Sequence, residues 1–186
     1  NLEVLKRRAG RADPDSQEAV QRYLGVLSTE LERVNRRIEL LLRLSRPGRG
    51  AEPTSLDDLA AELLELIQLE ARHHELEVDY LPGPTPVRVM VPREPARQAI
   101  LNLVLETIDR LGEGGTLRIR TGERDGWSLL AVGGAGVPAW TPEGEAECGR
   151  LAAARALAAG FGGHVYAEPG DADGPALVLS LPVARG

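Results

Sequence analysis

Seven apolar residues, Val20, Leu24, Leu27, Leu31, Val34, Ile38 and Leu41, recur at alternating spacings of four and three. Such a repeat lays one apolar stripe along a helix, and the stripe is stable only against another helix. Asp13-Pro14-Asp15-Ser16 supplies N-cap residues and a proline suited to open that helix, and Ser45-Arg46-Pro47-Gly48 ends it. Glu32 with Arg36, and Glu39 with Arg43, form i,i+4 pairs on the wet side. At ~1.5 Å per residue, residues 16–45 make a rod of about 45 Å. Leu2 to Arg8 reads as the last turns of a preceding helix, broken at Gly10, which gives an antiparallel hairpin. That stub covers only the start of the rod. The rest of the stripe needs residues upstream of Asn1, a second copy, or both, and two hairpins packed as a four-helix bundle bury every seam. Asn1 is not an initiator methionine, so truncation is expected along with a homodimer whose interface holds Leu24, Leu27, Leu31, Val34 and Ile38.

Beyond Pro47 the pattern changes. Thr54-Ser55 offers N-caps, Asp57 and Asp58 fall in the first turn, and Leu56, Leu59, Leu63, Leu66, Ile67 and Glu70 trace an amphipathic helix to about Arg72. Leu76 to Leu81 alternates as a strand does, as do Val87, Val89 and Val91, with Pro82-Gly83-Pro84 between them. Ala96 to Leu111 reads as a helix, Thr116 to Arg120 and Trp127 to Val132 as strands, and Gly133-Gly134-Ala135-Gly136 as a glycine turn. A helix over Leu151 to Ala159, capped at Gly162-Gly163, precedes strands at His164 to Ala167 and Ala176 to Leu181. That order predicts an α/β two-layer sandwich, a mixed sheet with helices over one face. The chain thus divides into a helical hairpin at residues 1–46, a linker at 47–53 and the sandwich at 54–186.

Composition narrows the function classes. Aromatic residues are 3% of the chain, so the core is built from Leu, Val, Ala and Ile. A net charge of −6 argues against nucleic acid as the main partner, because phosphate binding needs a basic face. The single cysteine, Cys148, excludes a disulfide framework, and three histidines leave little for zinc. No apolar run approaches the ~18 residues of a membrane span, and no basic-then-apolar leader opens the chain. The expectation is a cytoplasmic protein with no membrane contact in this stretch.

The order of hairpin, linker and sandwich resembles the cytoplasmic core of sensor histidine kinases, and local motifs carry the resemblance. AILNLVLETIDRL, from Ala99 to Leu111, is similar to that family's N-box helix. GGAGVP, from Gly133 to Pro138, resembles the first glycine box, FGGHVYAE, from Phe161 to Glu168, the stretch after the second, and GPALVLSLP, from Gly174 to Pro182, the closing strand. The resemblance implies a histidine-kinase-like ATPase sandwich behind a dimerisation and phosphotransfer hairpin. It maps a nucleotide pocket onto Asn102, Glu106, Val132, Gly134, Gly136 and Gly149. Several of these depart from the family. Glu106 stands where the family has a magnesium-binding asparagine, and Val132 where an aspartate accepts the adenine amino hydrogen bond. Ala146, Cys148 and Arg150 replace the three glycines of the second box, whose bare backbone approaches phosphate. The segment between Pro138 and Leu151 is also short for a nucleotide lid, with Trp140 its only aromatic.

The resulting expectation is a degenerate ATP site with neither ATP nor magnesium as cofactor, and no catalytic residue in this stretch. No histidine precedes His73, so a phosphoacceptor is expected upstream of Asn1. The chain then acts as a dimeric histidine phosphotransferase or an adaptor, with a response-regulator receiver domain or an upstream kinase as partner. The alternatives are an active histidine autokinase that uses Glu106 for magnesium, and a purely structural dimeric sensor. Other chemistry-bearing residues have plainer readings: His73-His74 a solvated helix end, His164 a half-exposed strand position, Cys148 an incidental thiol, Asp109 a structural ion pair. Lys6, Arg7, Arg8 and Arg11 suit either an acidic receiver surface or a solvated helix end. The seam itself is testable: sedimentation should give a dimer for this chain at micromolar concentration and a monomer for Leu31→Glu, and a monomeric parent overturns the dimer.

Overall fold

The structure, a computed structural model, describes residues 50–138, 149–171 and 174–184. The expected hairpin, its dimer-interface residues, the basic cluster at Lys6 to Arg11, Ala146 and Cys148 lie outside the described residues. In chain order the elements are β1 (Glu52–Ser55), α1 (Leu56–His73), β2 (Leu76–Leu81), β3 (Arg88–Val91), α2 (Arg93–Leu111), β4 (Gly115–Arg124), β5 (Trp127–Gly133), α3 (Gly149–Gly160), β6 (His164–Asp171) and β7 (Gly174–Pro182).

A five-stranded sheet runs in the order β2-β4-β5-β7-β6, with β2 and β4 parallel and the other pairs antiparallel. The sheet is mixed, as expected. Register puts Leu117, Ile119, Leu130, Val132, Leu177, Leu179 and Leu181 on one face, and all are fully buried. Leu56, Leu59, Leu63 and Ile67 of α1 and Ile100, Leu103, Val104 and Ile108 of α2 are buried with them, completing an aliphatic core. The helix α3 adds a slimmer contribution from Leu151, Ala154 and Ala158.

Local chemistry sets the element ends. Ser55 has extended backbone and accepts a hydrogen bond from the Asp58 N–H at 3.0 Å, which starts α1 with Asp57 and Asp58 against its positive end. The Asp57 carboxylate accepts from the Thr121 hydroxyl and from the Gly83 N–H, tying the proline-rich turn after β2 to α1 and β4. The Tyr80 hydroxyl donates to the Asp57 carbonyl at 3.3 Å, and burial, with Asp57 and Asp58 adding, raises its pKa above the ordinary phenol value. Asp125 (φ 54°) and Gly126 (φ 80°) join the paired residues Arg124 and Trp127, the two-residue left-handed turn that matches strand twist.

One strand went unread in the sequence. β1 takes in Glu52 and Pro53, residues expected in the linker, and pairs antiparallel with β3 from Glu52–Val91 to Ser55–Arg88. β4 also runs four residues past Arg120.

Gly134 follows β5 at a point without room for a side chain. A Cβ there would meet the Thr116 carbonyl oxygen and, at 3.2 Å, Leu111 of α2. Gly174 (φ 85°) meets the Gly134 carbonyl in the same way. Gly134→Ala should therefore lower stability by about 1–3 kcal/mol in a denaturant titration, and Gly136→Ala, where space is open but φ is 98°, by less. Equal effects would count against the packing argument.

Candidate functional site

The pocket positions fall on α2 and at the end of β5. Asn102 and Glu106 lie one helical turn apart on α2, Asn102 half-buried and Glu106 8% exposed. The Glu106 Oε1 accepts from Arg110 Nε at 2.9 Å, so the carboxylate is held by a cation one turn further along its own helix. Arg110 was missed in the sequence, although its i,i+4 spacing from Glu106 is the signal used above for Glu32 and Arg36.

Asp109, on the next turn, forms an ion pair with Arg150 in the first turn of α3. The structural role expected of Asp109 is thus what the structure has. The same pair sets Gly149 and Arg150 beside the C-terminal half of α2. A guanidinium in the first turn of a helix opposes the helix dipole, and Asp109 offsets that cost.

Val132 is fully buried on the helix-covered face of β5, opposite Ile119 of β4 and Leu177 of β7. Its side chain offers no hydrogen-bonding atom, and its neighbours across the ladder are aliphatic. Gly134 and Gly136 occupy the turn that follows, closed by a hydrogen bond from the Val137 N–H to the Gly134 carbonyl at 3.3 Å. Close backbone packing accounts for Gly134 without any ligand. The resemblance puts an adenine acceptor at position 132, and the valine side chain found there offers none.

The histidines have the plainer roles expected. His73 is exposed at the end of α1, and His74 caps the helix, its N–H donating to the Ala71 carbonyl at 3.0 Å and its Nε2 4.0 Å from Glu70. His164 is exposed rather than half-exposed and packs its ring on Trp127 at 5.4 Å between centroids. No group of three or more metal-ligating side chains occurs among the described residues. Nor is any described helix long and apolar enough to cross a membrane. A shallow groove of ~250 Å³ lies on the open face of the sheet, over Gly122, Leu129, Ala131 and Val178, opposite to the face that carries Val132.

An α/β sandwich with these boxes in this order can be set beside known proteins. No family model matches the sequence. It is 25% identical over 182 residues to sporulation kinase D of Bacillus subtilis, covering 90% of this chain and 36% of that protein. It is 27% identical over 99 residues to the sensor histidine kinase ZraS of Salmonella typhimurium, covering 53% of this chain and 21% of that one. The chain therefore spans about a third or less of the curated relatives it matches. Among solved structures, the catalytic domain of histidine kinase ThkA superposes with a TM-score of 0.62 at 19% identity over 73% of this chain and 98% of that one. A crystal structure of ThkA in complex with response regulator protein TrrA matches with a TM-score of 0.66 at 19% identity, over 98% of this chain and 57% of that one. The homologues are sensor histidine kinases, and the described domain has the fold of a histidine kinase catalytic domain.

Val132→Asp tests how closed the buried end of β5 is. An unpaired carboxylate there should cost about 3 kcal/mol or more in unfolding free energy at pH 8. Its folded pKa would be raised by burial, so the deficit should shrink as pH falls through that value and level off only below the unfolded aspartate pKa of about 4, where both states are protonated. A variant as stable as the parent at pH 8 would reveal an open, polar pocket instead.

Proposed function

We propose that this chain is part of a two-component signalling protein built on the histidine kinase scaffold, with a degenerate nucleotide pocket. In this reading it works as a dimeric histidine phosphotransferase or as an adaptor for a receiver domain. The observation that carries it is Val132, a fully buried aliphatic side chain at the position where the resembling family places its adenine acceptor. Glu106 supports it. A carboxylate already neutralised by Arg110 gives up that pair when it binds magnesium, and it repels phosphate while the metal is absent. Arg150 supports it too, because Asp109 already holds the guanidinium that would otherwise meet a phosphate.

The partner proposed is a response-regulator receiver domain, in keeping with the complex known for ThkA, and the phosphoacceptor is a histidine upstream of Asn1. The kinase names of the relatives favour a second reading, an active autokinase in which Glu106 serves as the magnesium ligand.

Titration calorimetry with ATP and ADP, with and without magnesium, separates the two. A lost hydrogen bond to a charged acceptor is worth about 1.5–3 kcal/mol. The losses at Val132, Glu106 and the second glycine box fall on different parts of the ligand and accumulate. Together they push a micromolar site beyond about 1 mM. No detectable heat is expected, and Val132→Asp alone should not restore binding. A dissociation constant below about 50 µM would overturn the degenerate pocket and favour the autokinase.

A further inference from the structure

Strand β1 is short, and one of its four residues, Pro53, has no N–H to give to the ladder. Besides the ladder and its continuation into α1, an arginine side chain ties it to the domain. Arg93, in the first turn of α2, donates from Nη1 to the Thr54 hydroxyl at 2.8 Å. Its Nη2 meets the Glu62 carboxylate of α1, and its Nε lies 3.4 Å from Glu52 Oε1. One side chain of α2 thus touches β1 twice and α1 once. Thr54 is 3% exposed, so its hydroxyl bonds to a charged donor out of water's reach, while Glu52 and Glu62 are partly solvated. Arg97, one turn later, lies 3.8 Å from the other oxygen of Glu62 and 3.2 Å from Glu94, which steadies the same corner.

A cation in the first turn of a helix works against the dipole. Arg93 is favoured there by what it reaches: three acceptors on two elements, fanned out as a planar fork of donors can meet them and a lysine cannot. Ser55, the residue after Thr54, is the cap of α1, so β1 passes into that helix without slack.

We propose that Arg93 couples β1 to α2, so that a displacement of the chain where it enters the domain, at residues 50–52, is passed to the helix that carries Asn102 and Glu106. The coupling runs through Thr54 and Glu52 and is a property of the apo fold. It stands whether or not the pocket binds nucleotide, so the calorimetry above and the experiment below fail independently. Arg93 is a positioning residue in this scheme, not a catalytic one.

Hydrogen exchange on the 186-residue chain tests it, comparing the parent with Thr54→Val, Arg93→Lys, Arg93→Met and the Thr54→Val/Arg93→Met double variant. Thr54→Val alters β1 alone, yet coupling requires exchange in residues 96–100 of α2 to quicken about fivefold, with β5 and β7 unchanged. Arg93→Met should quicken both residues 52–55 and residues 96–100 about tenfold, and Thr54→Val should add nothing in that background. Arg93→Lys should fall between. An α2 indifferent to Thr54→Val, additive effects in the double variant, or equal acceleration across the whole sheet would each overturn the coupling, the last because it marks a general loss of stability. Should Arg93→Met fail to fold, Thr54→Val and Arg93→Lys, singly and combined, complete the same cycle.

Discussion

The inner face of the five-stranded sheet governs the rest of the domain. From β4 through β5 to β7 its centre is aliphatic, with Leu117, Ile119, Leu130, Val132, Leu177, Leu179 and Leu181 all out of water, and α1 and α2 lie over them. Each such side chain contributes about 1.5–3 kcal/mol by burial, and with almost no rings to fill space the layers must approach closely. Close approach is what fixes the backbone at Gly134 and Gly174, where a Cβ has nowhere to go. Within the glycine turn, packing alone therefore requires Gly134, whereas Gly136 has open space and is held to glycine by its φ of 98°.

How much of this was legible depends on the range of the signal. Strands β2, β5 and β7 alternate or run apolar within a few residues, and α1 carries its cap, its acids and its stripe in consecutive turns. Such local patterns reach the reader of a sequence intact. β1 does not, because Glu-Pro-Thr-Ser has no apolar alternation and is a strand only through its pairing with β3 some 36 residues later. The outer end of β4 fails likewise: Gly122, Glu123 and Arg124 are held in the strand by their ladder partners Leu129, Ser128 and Trp127, not by side-chain burial. At the site, Glu106–Arg110 was legible from spacing and was overlooked. Asp109–Arg150 and Arg93–Thr54 join residues 41 and 39 apart, and no local rule reports such pairs.

The electrostatics of α2 follow one plan. From Glu106 onward its charged residues are each paired, Glu106 with Arg110 on the helix itself and Asp109 with Arg150 on α3. A site that awaited a polyanion with its metal would leave cations unpaired or keep neutral donors in place, since charge-assisted contacts to phosphate are strongest when no internal acid competes. Here the acids are internal. The acids on α2 are balanced by arginines of the chain itself, and Val132 ends β5 within a hydrocarbon layer.

Those two facts share one physical origin. A buried valine stabilises the sheet where an aspartate would need a partner to be tolerated. A Glu106 held by Arg110 stabilises α2 where a bare carboxylate at 8% exposure would be costly. Both interactions lie within the chain and hold without any ligand. Arg93 grips β1 from the first turn of that same helix, and in the coupling proposed above it is where motion along the chain would first meet α2.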